Sequence, residues 1–243
     1  MKVRILFLFV IVWIFALPLQ AQDVEIEVTF AQDITLLGLL PFQADTVFPN
    51  TLEIVYAVIY VDGLPEGDAF DIVWLFEGDE LDSLTYTNDR VNDDDFRIYT
   101  YWANGLAVGE WTVEIIYNEE VITEANFEIT DEAYIFPIRF GSNCTRDESI
   151  LLNEGVSFED ITYLFAYVEY ANFDDETVTV IWQDDDGAIT TEGELEFVFD
   201  GEGKRCISYL DSVEFIRSGN YSVAFQNQDG DLYRTSHEVE ISD

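Results

Sequence analysis

Positive charge is scarce in this chain: ten Lys and Arg stand against 50 Asp and Glu in 243 residues, a formal net charge of −40. Binding DNA, RNA or an anionic membrane face draws on Lys and Arg, which excludes nucleic acid and lipid surfaces as partners. Cations, basic proteins and neutral sugars stay open. Histidine is scarcer still. His237 is the only one, which leaves no His-clustered metal site and little room for a Ser-His-Asp triad; beside Glu238 in the last strand it reads as an ordinary surface residue. Past the first residues no stretch sustains a 3.6-residue apolar period with caps, so no long helix is expected. Carboxylates are numerous enough for a glycosidase pair by residue type. Short-looped β-domains offer no deep cleft, however, and the expectation is a protein that is not an enzyme.

The N-terminus reads as a processing segment. Lys2 and Arg4 precede an apolar run from Ile5 to Ala16, Pro18 breaks it, and Leu19-Gln20-Ala21 is a small-residue cleavage site. The run is shorter than the roughly 20 residues that span a bilayer, so a signal peptide over residues 1–21 is expected, with no transmembrane span in the mature chain. No Cys follows the run to carry a lipid. Cleavage removes two positive charges and no negative ones, taking the net charge from −40 to −42 and leaving Lys204 as the only lysine. The mature chain is expected to be secreted or held in the cell envelope. Disulfides persist there, and Cys144 and Cys206, the only two cysteines, are candidates for one bridge.

What is abundant is apolar and aromatic: 49% hydrophobic and 15% aromatic residues argue for a packed interior. Val24 to Phe30 alternates apolar and polar with period two, as a half-buried strand does. Residues 31–51, with Gly38, Pro41 and Pro49, read as a crossing between sheets. Leu52–Val61, Phe70–Phe76 and Phe96–Trp102 read as strands, and Leu81–Tyr86 as a short edge strand. Gly109 to Ile129 reads as two strands around the polar turn Asn118-Glu119-Glu120.

The same plan is then written again. Phe140 falls over Phe30 at an offset of 110, Ala166 over Ala57 at 109, Trp182 over Trp74 at 108, Gly219-x-Tyr221-x-Val223 over Gly109-x-Trp111-x-Val113 at 110, and Val239-x-Ile241 over Phe127-x-Ile129 at 112. Offsets confined to so narrow a band point to a duplicated unit. The expected layout is a domain over 22–132 and a second over 133–243, abutting without a Gly/Ser or Pro linker.

With these residues in view, each half resembles a bacterial immunoglobulin-like β-sandwich. The resemblance rests on Trp74 and Trp182 at the buried-Trp position of the third main strand, on Trp111 before Val113 and Tyr221 before Val223 at the tyrosine-corner position, and on the closing hairpin. Both core cysteines of the family are absent, with Ala57/Ala166 and Val113/Val223 near their places. The resemblance implies an all-β fold of two tandem antiparallel sandwiches and a module for display, spacing or binding. It carries no catalytic residue across.

Two candidate sites remain. Acidic clusters at Asn92–Asp95, Asp174–Glu176, Asp184–Gly187 and Asp229–Asp231 fall in expected loops. Ca²⁺ takes several converging oxygens, so Asp184, Asp186, Asp229 and Asp231 are candidate ligands; solvated loop charge and adaptation to high salt are the alternatives. Asn227-x-Asp229-x-Asp231 imitates an EF-hand loop, but Leu232 stands where that loop needs Gly. The second candidate is aromatic. Alternation puts Tyr99 and Tyr101 on one face of a strand and Trp102 on the other, so the tyrosines either stack on sugar rings or, the preferred reading, pack between sheets or domains. The expected function is a surface or secreted interaction module with a protein or glycan partner at the cell exterior, the alternative being a carbohydrate-binding module, calcium-stabilised or not.

Overall fold

A computed structural model describes residues 24–35, 37–90, 95–145, 150–159, 161–185, 187–189, 195–209, 216 and 218–242. The expected signal peptide lies outside the described residues, as do 92–94 of the first acidic loop and Asp186. Among the described residues every regular element is a β-strand, and no helix is long and apolar enough to cross a membrane.

In the first half the strands are β1 (Glu25–Ile34), β2 (Pro41–Ala44), β3 (Val47–Pro49), β4 (Val55–Asp62), β5 (Ala69–Phe76), β6 (Asp79–Thr87), β7 (Asp95–Trp102), β8 (Gly109–Tyr117) and β9 (Glu120–Thr130). They form a four-stranded sheet ordered β2-β1-β4-β7 and a five-stranded sheet ordered β3-β9-β8-β5-β6. The alternation read from the sequence puts Phe30, Ala57 and Ile59 of one sheet against Trp74, Trp111 and Phe127 of the other, and all six are buried in one core. Trp111 packs 5.5 Å from Trp102 and 5.9 Å from Phe127, ring centre to centre. Burying side chains of this size stabilises by about 1.5–3 kcal/mol each, so a few such rings dominate the half. The segment 31–51 crosses between the sheets: it extends β1, supplies β2 to the four-stranded sheet and supplies β3 to the five-stranded one. The edge strand near Leu81 is nine-residue β6.

The second half comprises β10 (Tyr134–Ile135), β11 (Arg139–Cys144), β12 (Leu151–Glu154), β13 (Ser157–Glu159), β14 (Phe165–Asp184), β15 (Gly187–Ile189), β16 (Leu195–Ser208), β17 (Gly219–Gln226), β18 (Leu232–Thr235) and β19 (Val239–Ser242). Its core is separate, built on Phe140, Trp182, Phe199 and Phe225. The pairing repeats that of the first half. Phe30 pairs with Ala57 and Phe140 with Ala166; Trp74 pairs with Val113 and Trp182 with Val223. Each half also lays one short strand parallel to its last, β3 on β9 and β13 on β19.

One difference is large. The two strands expected over 163–170 and 178–182 are a single strand, the 20-residue β14, which pairs along both its ends with β16. In the first half Gly63, at φ 73°, and Pro65 end β4 and separate it from β5. The equivalent stretch, Ala171 to Glu176, has no Gly or Pro, and the chain bends through bulges with Asn172 and Asp175 at φ 62° and 47°. Asp174, Asp175 and Glu176 therefore sit in a bulged strand rather than in a loop.

The halves meet over an apolar patch of Tyr134, Phe136 and Ala171 with Val47 and Leu52. Beside it the Tyr134 hydroxyl donates to Asp45 Oδ2 at 2.6 Å, and Arg234 forms an ion pair with the same carboxylate. Asn172 Nδ2 donates to the Thr130 carbonyl at 3.3 Å.

Candidate functional site

The outer face of sheet β2-β1-β4-β7 carries the two tyrosines singled out by alternation. In β7 the outward residues are Arg97, Tyr99 and Tyr101, while Phe96 and Trp102 turn to the core. Tyr99 and Tyr101 are 44% and 54% exposed, so packing between sheets or domains does not account for them. A third ring joins them from β4: Tyr56 lies 6.2 Å from Tyr99 and 5.8 Å from Tyr101, because Tyr56 and Tyr101 are cross-strand partners. Further along the face Arg97 covers the Tyr60 ring at 5.2 Å. The result is a flat strip of phenol rings held by strands on a packed sheet. Burial, and then the charge of nearby Asp33, raise the Tyr56 phenol above its ordinary pKa. The register-equivalent pair in the second half is Phe165 against Ser208, so the three-tyrosine arrangement is not repeated there, although exposed Tyr163 lies 6.3 Å from Phe165. Alternation revealed Tyr99 and Tyr101; Tyr56 was missed because only strand pairing brings it alongside.

The acidic candidates divide. Asp184 ends β14, near the start of β17, whereas Asp229 and Asp231 lie in the turn after β17. Asp184 and the Asp229/Asp231 pair thus lie at opposite ends of one strand and share no site; Asp186 lies outside the described residues. In the β17–β18 turn Asn227 Oδ1 accepts from the backbone N–H of Asp229 and Asp231 at 3.0 and 2.8 Å, and Asn227 Nδ2 donates to Asp231 Oδ2 at 3.2 Å. That arrangement turns the chain without an ion. Among the described residues no three His, Cys, Asp or Glu side chains converge as a metal site would need. Cys144 and Cys206 form a disulfide, Cα to Cα 6.5 Å, tying the end of β11 to β16. His237 is exposed just before β19 rather than within the last strand, its ring edge-on to Phe140 at 5.4 Å.

No protein-family model matches the sequence, and no curated protein matches it either. Solved structures with similar folds include a beta-glycosidase from Bacteroides vulgatus (10% identity, TM-score 0.29, over 77% of this chain and 22% of that one). Another is a glycosyl hydrolase family 2 member from Bacteroides cellulosilyticus (8%, 0.32, 92% and 29%). A third is the IG1+IG2 fragment of DIP-gamma (14%, 0.24, 81% and 91%). The chain spans less than a third of the length of the two glycosidases. The protein is all-β, with immunoglobulin-like neighbours among the solved folds; likenesses this distant say nothing about function.

Proposed function

We propose that this protein is an exported, non-catalytic binding module of two tandem immunoglobulin-like sandwiches, and that it holds a neutral glycan chain on the tyrosine strip of its first half. The observation that carries the reading is the exposed trio Tyr56, Tyr99 and Tyr101, with ring centres 5.8–6.2 Å apart on an outward sheet face. Aromatic rings on a rigid strand give contact area at little cost in side-chain entropy, and a flat strip fits the C–H faces of successive sugar units. The net charge of −40 disfavours polyanionic polysaccharides and leaves neutral ones. A disulfide suits an oxidising, extracellular setting.

The test is retention of purified residues 22–243 by insoluble neutral polysaccharides, with a glycan array for soluble ones. Binding is expected to fall at least ten-fold in the Tyr99→Ala/Tyr101→Ala double variant, with melting unchanged. Equal retention of variant and parent would remove the strip from the reading. Binding confined to a protein partner captured from the envelope would replace the glycan with a protein.

A further inference from the structure

A strand at the margin of a sheet leaves half of its backbone groups without a strand partner. In the five-stranded sheet of the first half that strand is β6, which pairs with β5 alone among the described residues. Its nine residues exceed the usual strand length of about five or six, and alternate N–H and C=O groups along it point away from β5. It contains neither Pro nor Lys, two common means of closing such an edge. Every residue of β6 is exposed except Tyr86, which is half-buried.

The exposure extends to the side that turns inward. Asp82 and Leu84 stand opposite Trp74 and Ile72 of β5, both buried in the core. Asp82 and Leu84 themselves stay open to solvent. β6 therefore overhangs the core, and Leu81 adds a second exposed leucine. A strand laid alongside β6 would find backbone partners on it and an open apolar side chain on the overhang.

Charge selects the occupant. β6 carries Asp79, Glu80 and Asp82, and among the described residues no ion pair engages them. Asp82 accepts from the Ser83 N–H at 2.9 Å, which holds its carboxylate against the strand's own backbone. Opposite charges on neighbouring strands stabilise a sheet and like charges destabilise it. A second copy of this chain brings the same carboxylates and a net charge of −40, so pairing of β6 with itself is opposed. A strand bearing Lys or Arg is attracted. Other strands at sheet margins are short, as are β2 and β12 with four residues each, or carry cations of their own. Arg97 lies on β7, and Lys204 and Arg205 lie on β16. β6 is long, open and wholly acidic in its charge.

We propose that β6 is a docking edge for an extended basic segment of a partner protein, which joins the five-stranded sheet as a further strand. Its backbone bonds to β6, its Lys or Arg side chains meet Asp79, Glu80 and Asp82, and an apolar side chain covers Leu84. The tyrosine strip lies on the outer face of the other sheet, so neither reading depends on the other.

The probe is a short synthetic peptide of alternating Lys and Val, titrated into the full mature chain. Two further peptides are compared with it: one with Glu in place of Lys, and one with every backbone nitrogen methylated, which keeps the charge and removes the bonding edge. The chains are the parent, Asp79→Asn/Glu80→Gln/Asp82→Asn, and Tyr99→Ala/Tyr101→Ala. The Lys peptide is expected to bind the parent and to slow hydrogen exchange at the β6 amides, a measurement independent of how the variants fold. Neutralising the three carboxylates is expected to weaken binding about ten-fold, as three exposed ion pairs would. The methylated and Glu peptides are expected to lose at least that much, and the tyrosine variant to bind as the parent does. Equal binding of the methylated peptide would reduce the effect to general attraction of cations and overturn the proposal. So would protection outside β6, an unaffected triple variant, or no binding at all. A parent that dimerises through β6 once salt screens its charge would replace the partner strand with a second copy.

Discussion

Trp111 and Trp74 occupy one core with opposite hydrogen-bonding fates. The Trp111 indole donates to the Ala107 carbonyl at 2.9 Å, four residues back, as a tyrosine-corner hydroxyl does in immunoglobulin sandwiches. The Trp74 indole nitrogen is buried without a partner. Replacing Trp111 by Phe therefore removes both volume and a bond worth about 1 kcal/mol, whereas Trp74→Phe removes volume and relieves an unpaired donor. We expect Trp111→Phe to lower the urea midpoint more than Trp74→Phe; the reverse order would show that the corner bond is not a support. At the joint, Tyr134 is held above its ordinary pKa, by burial first, against the lowering pull of Arg234 and with the help of its bond to Asp45. A folded-state pKa above the unfolded one means stability is intact below about pH 10, where the unfolded phenol ionises, and is lost as pH rises beyond it. Absorbance titration is expected to show a late-ionising phenol that disappears in Tyr134→Phe, with melting that falls on the alkaline side. If the variant titrates like the parent, the joint does not shelter that hydroxyl. The positions of Tyr99 and Tyr101 were legible because alternation in a single strand fixes the face. Tyr56 was not, since only the pairing of β4 with β7 brings it beside them.

At the scale of elements, the contrast between β4–β5 and β14 shows how punctuation decides connectivity. Gly63 and Pro65 end one strand and let another begin, while Ala171–Glu176 merely bends. The long β14–β16 ribbon is closed at one side by Cys144–Cys206, a bond the first half does without. A cross-link over 62 residues stabilises by roughly 4 kcal/mol in the chain-entropy account, with measured values commonly 2–4. Cys144→Ala/Cys206→Ala is expected to lower the melting of the second half by that order and to leave the first-half core unchanged, as read by hydrogen exchange. Uniform loss of protection in both halves would mean that they unfold as one cooperative unit.

For the whole molecule, charge is the dominant fact. A net of −40 repels itself in the compact state, so the melting temperature is expected to climb with NaCl and to level off as screening saturates. At matched ionic strength Ca²⁺ and Mg²⁺ are expected to act alike, because the two acidic turns lie at opposite ends of β17; a rise peculiar to Ca²⁺ would revive a specific site. The sequence by itself determined the all-β class, the scarcity of positive charge and the repeated strand scheme, since these follow from side-chain type, from period-two alternation and from equal offsets, all local or self-comparative signals. It also placed Tyr99 and Tyr101 on one face. Only the tertiary structure decided that this face is open to solvent, that Tyr56 completes the strip, and that the two halves meet over Tyr134, Phe136 and Ala171. Those facts depend on which distant strands pair and how two cores abut, and no window of the chain encodes them in isolation.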